Sequence, residues 1–271
     1  MLTFEECLRE AANALNFAAN NINPEEFEKS LNLISKSLKK NSKIIVSGVG
    51  KSGIVARKLA STFTSVGMTS IYLNPLDALH GDLGIVHKTD VCLFLSNSGD
   101  TEELLEIIPY IKKRGSKIIS IAGNSESKLF KLSDAFILAR INRELCPLNL
   151  APTASTTVAM AIGDAIAAVW MNREKISAAD FALNHPGGSL GKTIYLKVSD
   201  LMIPRNKIQL LSPSDSFKKA IKAITNDGIG IACVQDTKRK NQIMGIITDG
   251  DVRRILDKHP PSRWDKIIAK N

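Results

Sequence analysis

Aromatic residues make up only 5% of this 271-residue chain, and its four cysteines, Cys7, Cys92, Cys146 and Cys233, form no C-x-x-C pair. Few aromatics argue against the stacking platforms that hold single-stranded nucleic acid. Dispersed cysteines leave neither a zinc knuckle nor a disulfide framework, and Cys92, inside an apolar run, is expected in the core. A secretion signal is also missing, because Met1-Leu2-Thr3-Phe4-Glu5-Glu6 has no basic segment and no apolar stretch after it. Long apolar runs are scarce: the most apolar helix, expected near Val158 to Trp170, carries Asp164 and falls short of a bilayer. A cytoplasmic protein with no membrane partner is the expectation.

What is present is ordinary in amount, with 44% hydrophobic and 23% charged residues, enough for one domain of moderate size and a smaller one. The formal charge of +9 raises nucleic acid as a partner, but the basic residues are thinly spread. The densest run, Lys238-Arg239-Lys240, falls where a hairpin turn is expected, so a solvated loop is the better reading. The positive balance would still draw in an anionic substrate.

The chain is organised around Ser47-Gly48-Val49-Gly50-Lys51-Ser52-Gly53. Before it, Lys43-Ile44-Ile45-Val46 reads as a buried parallel strand; after it, Ile54 to Phe63 keeps an apolar face at helical spacing. Glycines allow close approach of a ligand, and the free N–H groups of a helix start attract an anion. Gly48-x-Gly50-x-x-Gly53 formally matches a dinucleotide fingerprint, yet the second strand, Ser70-Ile71-Tyr72-Leu73, ends in Asn74-Pro75 rather than an acid. A P-loop needs glycine where this chain has Ile45.

Strands expected at 43–47, 70–73, 90–95, 117–121 and 135–139 alternate with helices, and two amphipathic helices, 3–21 and 25–40, precede them. That order predicts a parallel sheet covered on both faces, with its ligand at the carboxyl ends of the strands. The strand-end loops are therefore the ones to read. Ser96-Asn97-Ser98-Gly99-Asp100-Thr101-Glu102-Glu103 is dense in hydroxyls and suits phosphate, although Ser98 or Asp100 could simply cap a helix. Ala78-Leu79-His80-Gly81-Asp82-Leu83-Gly84 and Asn184-His185-Pro186-Gly187-Gly188-Ser189-Leu190-Gly191 set two of the four histidines in glycine loops. His87 and His259 lack such settings and are expected to face solvent. In Cys146-Pro147-Leu148-Asn149-Leu150-Ala151-Pro152-Thr153-Ala154-Ser155-Thr156-Thr157, Thr153 is the expected N-cap and the small residues suit packing more than ligand contact.

Together these loops resemble the sugar isomerase (SIS) domain of bacterial D-arabinose 5-phosphate isomerases, over nearly the whole chain. The resemblance implies an α/β fold with a five-stranded parallel sheet between helices, residues 1–196, and a C-terminal CBS repeat, 197–271, of βαββα type. It implies interconversion of D-ribulose 5-phosphate and D-arabinose 5-phosphate, supplying Kdo for lipopolysaccharide or capsule, by a homotetramer with no cofactor. By motif, the family's catalytic residues fall on Lys51, His80, Glu103 and His185; its phosphate cradle on Ser52, Ser96, Ser98 and Thr101; its substrate loops on Gly48, Gly50 and Gly81. No metal is required, and His80 is a candidate inhibitory metal contact.

The chemistry agrees. Metal-free aldose–ketose isomerisation through a cis-enediol needs a base at the carbon, an acid for the oxygens and a cation for the enediolate. Glu103 or His80 would be the base, His185 would aid ring opening or transfer between oxygens, and Lys51 would steady the oxyanion or phosphate. In the smaller domain, Val198-Ser199-Asp200-Leu201-Met202-Ile203-Pro204 looks like a CBS lead-in, and Thr248 and Asp251 fall where such repeats hold a nucleotide or nucleotide-sugar. The family has two repeats, and the second is missing here. A non-catalytic sugar-phosphate sensor is the reading from another class, but such regulators carry a basic recognition helix and none precedes Lys43. An isomerase of another phosphosugar is the enzymatic alternative.

Overall fold

The computed structural model describes residues 3–188, 193–194, 196–237, 239 and 242–270, with the backbone alone at Asp227. The loop residues Ser189, Leu190, Gly191, Lys238 and Lys240 lie outside the described residues. The chain forms two compact units, Met1–Tyr195 and Leu196–Asn271.

In the first unit, β1 (Ile44–Gly48), β2 (Ser70–Leu73), β3 (Val91–Ser96), β4 (Lys117–Ala122) and β5 (Ala135–Leu138) pair in parallel, in the order β2-β1-β3-β4-β5. These bounds agree with the expected strands to within a residue at either end. Every residue of β1 and β3 is buried, as the continuous apolar runs require for strands covered on both sides. Alternation decides which core each side chain joins. Ile44 and Val46 pack with α1 (Phe4–Asn21), α2 (Pro24–Leu38), α3 (Gly50–Ser65) and α7 (Ala154–Glu174); Ile45 packs with α4 (Pro75–Leu79), α5 (Glu102–Arg114) and α6 (Lys128–Leu132).

Local signals set the helix starts. Asn23 accepts from Glu25 N–H at 2.8 Å, with Pro24 in the first turn of α2. Glu26 accepts from the Phe136 N–H at 3.1 Å, satisfying a donor on the edge strand β5. Cys92 sits fully buried in β3, and burial pushes its thiol up to about 12, so it is an inert core residue. At the starts of the strands, buried Asp90 accepts from Lys43 N–H at 3.1 Å, His87 N–H at 2.8 Å and Lys43 Nζ at 2.8 Å, closing that edge of the sheet.

One expectation fails on length. The apolar helix α7 runs from Ala154 to Glu174, wider at both ends than Val158–Trp170, because alanines continue it until Lys175 takes the left-handed conformation. It is long and apolar enough to cross a membrane by composition, yet Val158, Ile162, Ile166 and Trp170 are buried in the core beside the sheet.

The second unit orders α9 (Val198–Leu201), β6 (Leu210–Leu211), α10 (Phe217–Asp227), β7 (Ile231–Gln235), β8 (Ile243–Thr248), α11 (Asp249–Lys258) and α12 (Pro261–Trp264), after α8 (Ala178–Leu183) has closed the first. Its sheet runs β6-β7-β8, parallel then antiparallel. Thr248 and Asp251 are engaged with each other. Asp251 accepts from the Thr248 N–H and hydroxyl at 2.8 and 2.7 Å, and the Thr248 oxygen accepts from Asp251 N–H, a capping box that starts α11. The Thr248 hydroxyl, with the Thr248 N–H and Arg254, lowers the Asp251 carboxyl to about 2. His259, expected in solvent, is half-buried and its carbonyl accepts from Trp264 Nε1 at 2.8 Å; His87 is exposed as expected.

Candidate active site

The chain leaves β1 toward β2 on one side and later enters β3 on the other, so the carboxyl ends of β1 and β3 flank the switch in strand order. Ligands of open parallel sheets bind at such a place. The glycines of the first loop make it compact. Gly50 has φ +58°, and a Cβ on Gly53 would lie 2.7 Å from the Gly48 carbonyl oxygen, so α3 is pressed directly onto β1. We expect Gly53→Ala to lower stability by about 2 kcal/mol through overpacking against backbone, read as a lower midpoint in urea unfolding.

Three helices begin around this edge: α3 after β1, α5 after β3, and α7 after the loop that follows β5. Their N-cap residues, Val49, Thr101 and Thr153, make no side-chain cap. The other described α-helices of this unit that begin within Met1–Leu183 are capped by Thr3, Asn23, Asn74, Ser127 and Ser177. At α7 the carboxylate of Glu144 takes that place, accepting from Thr153 N–H and Ser155 N–H, so the α3 and α5 starts are the two that offer N–H donors and positive dipole ends to an anion.

The serine loop is built around Ser96, which is buried. Its hydroxyl meets Thr101 Oγ1 at 2.7 Å, lies 3.5 Å from Ser98 Oγ and accepts from Gly99 N–H at 3.0 Å. Gly99 has φ +73°, and a Cβ there would strike Ser127 Oγ at 2.2 Å. The capping reading of Ser98 or Asp100 is corrected: α5 starts from Thr101, while Asp100 accepts from Lys128 N–H at 3.0 Å and ties the loop to α6.

A cleft of about 50 Å³ opens here, with Ser52, Ser96, Asn97, Ser155 and Thr156 as its polar lining. Lys51 and Glu103 occupy the second positions of α3 and α5, Lys51 exposed and Glu103 half-buried. His80 ends α4 at the carboxyl end of β2 and is exposed; Gly81 after it has φ +132°.

His185 does not join them. Its neighbour Asn184 donates to the Ser65 carbonyl at 3.3 Å, at the last residue of α3, whereas Lys51 is at the first turn. Lys51 and Ser65 lie fourteen positions apart in this 16-residue helix, about 21 Å at 1.5 Å per residue. The His185 ring stacks on Phe181 with centroids 4.0 Å apart, and Nδ1 lies 2.9 Å from the Phe181 carbonyl. A carbonyl accepts only, so Nδ1 is the donor in this bond, and Nε2 is the nitrogen it does not use.

Residues 144–156 hold more of the site than the sequence suggested. Thr153 stands at the N-cap position without capping; it donates to Glu144 Oε2 at 3.1 Å and accepts from Leu145 N–H at 2.9 Å. Glu144, buried in this loop, also accepts from Thr153 N–H at 2.8 Å, Ser155 N–H at 3.2 Å and the Ser155 hydroxyl. Burial pushes its carboxyl up, but these bonds from Ser155 and Thr153 outweigh it and hold the group below the ordinary value. Asn97, Ser155 and Thr156 belong to the cleft although the loop reading favoured packing for the last two. The hydroxyl-rich Thr153-Ala154-Ser155-Thr156-Thr157 was the available signal; a single glutamate in a loop offered none.

Two uncapped helix starts and a cluster of hydroxyls at the switch point of a parallel sheet, with Lys51 and Glu103 in the first turns of those helices, make this an α/β domain with a candidate anion site. Residues 37–169 match the SIS domain family. The chain is 39% identical over 233 residues to arabinose 5-phosphate isomerase KdsD of Francisella tularensis, covering 86% of this chain and 70% of that one. It is 39% identical over 253 residues to arabinose 5-phosphate isomerase KpsF of Escherichia coli, covering 93% and 75%. A solved protein of Escherichia coli CFT073 in complex with arabinose 5-phosphate superposes with a TM-score of 0.63 at 37% identity, over 67% of this chain and 95% of that one. The chain belongs to the SIS-domain family of arabinose 5-phosphate isomerases.

Proposed function

We propose that this site interconverts D-ribulose 5-phosphate and D-arabinose 5-phosphate through a cis-enediol. The observation that carries the reading is the pair of uncapped helix starts, α3 and α5, beside the hydroxyls of Ser52, Ser96, Ser98 and Thr101. The relatives of that name, similar over most of the chain, support the choice of sugar.

The phosphate sits on the α3 and α5 N-termini, and Gly48, Gly50 and Gly81 let the sugar approach the backbone. Glu103 or His80 removes a proton from C1 of the ketose; the same group returns one to C2, leaving the aldose. Lys51 holds the negative charge that gathers on oxygen meanwhile. A proton must also leave the C1 oxygen and reach the C2 oxygen, and the His185 ring is the group for that transfer. Because His185 stands at the far end of α3 in its own chain, it acts in the site of another copy. The assembly is a homotetramer, cytoplasmic, and its product feeds Kdo for lipopolysaccharide or capsule.

The second unit is read as a CBS repeat. A groove of about 440 Å³ lined by Phe217, Ile246, Asp251, Arg254, Lys258 and Ile268 combines apolar surface with cations, which suits a nucleotide or nucleotide-sugar. Thr248 and Asp251 first cap α11, so a ligand there would compete with the cap.

Running the reaction in deuterium oxide tests the chemistry. Ribulose 5-phosphate is expected to give arabinose 5-phosphate carrying deuterium at C2, seen by proton NMR. Sugar still fully protiated at C1 of the ketose and C2 of the aldose after many turnovers at equilibrium would contradict proton transfer by an exchangeable side chain.

A further inference from the structure

Strands β1 and β2 pair with Val46 opposite Tyr72, and both side chains fall on the face of the sheet that α3 covers. The Tyr72 ring is half-buried there, and the guanidinium of Arg57, from α3, lies 4.2 Å from the ring centre. The Tyr72 hydroxyl donates at 3.1 Å to the carbonyl of Gly48, the last residue of β1. Gly53 stands beside the same oxygen. A Cβ added to it would lie 2.7 Å from the Gly48 oxygen and 3.2 Å from the Tyr72 hydroxyl, so the tyrosine, the strand end and the first turn of α3 meet at one point.

The turn held at that point is one that has no cap. In α2 and α4 the helix start is fixed by Asn23 and Asn74, whose side chains accept from first-turn N–H groups and so use those donors up. At α3 the N-cap is Val49, which has no acceptor to offer. Tyr72 grips this start by an acceptor instead, the carbonyl that precedes the helix. The peptide between Gly48 and Val49 is planar, so holding its oxygen also sets its N–H and the direction in which the chain enters Gly50, Lys51 and Ser52. The turn is fixed, and the donors of the helix start stay open for an anion.

We infer that Tyr72 is a positioning residue for substrate phosphate: its hydroxyl, through the Gly48 carbonyl, holds the glycine turn in the shape that presents the α3 N–H groups. This role rests on reading the α3 start as the phosphate site of an isomerase. Tyr72 acts through Gly48 and takes no part in the proton transfers. Its contribution therefore belongs to binding, which is equal for ketose, enediol and aldose because all three carry the same phosphate. Loss of the hydroxyl should weaken the hold on phosphate and spare the chemical step.

Tyr72→Phe in the full chain tests this, because it keeps the ring, its packing and the Arg57 contact and removes the hydroxyl alone. The dissociation constant for inorganic phosphate, read by calorimetry, is expected to rise about five-fold, the size of one neutral hydrogen bond. KM for ribulose 5-phosphate is expected to rise by the same factor, with kcat within roughly two-fold of wild type. A hydroxyl with a merely structural role would lower the urea midpoint and leave phosphate affinity and KM as they are in the folded protein. That result overturns the positioning role, and so does a loss confined to kcat. If the wild type binds phosphate without isomerising, the phosphate affinity decides alone, and the isomerase reading falls while the role of Tyr72 stands. If the wild type isomerises and Tyr72→Phe matches it in KM and phosphate affinity, the role of Tyr72 falls and the isomerase reading stands. A wild type that neither binds phosphate nor isomerises removes both.

Discussion

Glu103→Gln is expected to lower turnover roughly a thousand-fold while leaving KM within a few-fold, the size of effect for loss of a positioned general base. The amide fills the same space but cannot take a proton at the working pH. Its position makes the substitution mild for the fold: Glu103 is half-buried at the second residue of α5, and the apolar side chains that fix this helix, Leu104, Ile107, Ile108 and Ile111, are untouched. The loop before it is held by Ser96, Thr101 and Asp100, none of which depends on Glu103. Steady-state kinetics on both variant and wild type check this, and near-full turnover would assign the base to His80 instead.

Glu144→Ala is expected to cost about 3 kcal/mol, within the range for removing one partner of a buried, hydrogen-bonded charge cluster. Two backbone N–H groups, Thr153 and Ser155, lose their acceptor at once, and both sit where α7 begins. The effect also has a pH signature. A carboxyl held below its ordinary value of 4.5 contributes its stabilisation in full above about pH 4.5 and loses it as the pH falls through the lower folded value. Urea unfolding should therefore show a gap between wild type and Glu144→Ala that is widest near neutral pH and narrows at pH 3. A gap that stays constant with pH would show that the carboxylate charge is not what holds the loop.

The sheet was legible in the sequence because five apolar runs, each followed by a polar or glycine-rich loop, leave little freedom in a parallel fold. The loop residues Lys51, Ser52, Ser96, Ser98, Thr101 and Glu103 could be placed near one another on the same ground, since every carboxyl strand end faces the same way. His185 was not legible in this sense: its glycine loop marks it as unusual, but only packing shows that Asn184 anchors that loop to Ser65, at the wrong end of α3 for its own site. Glu144 was hidden for a different reason. Its role depends on hydrogen-bonding groups 9 to 11 residues away, a distance at which no periodicity points. Thr248 and Asp251 show the converse, a motif read for ligand binding whose spacing first satisfies a helix start.

The most direct test of the account follows the product of the purified chain from ribulose 5-phosphate by carbon-13 NMR, with ribose 5-phosphate and hexose phosphates run as alternative substrates. Arabinose 5-phosphate should appear as the new sugar, and starting from arabinose 5-phosphate should reach the same equilibrium mixture. Conversion of another phosphosugar with no arabinose 5-phosphate formed, or binding without any turnover, would contradict it.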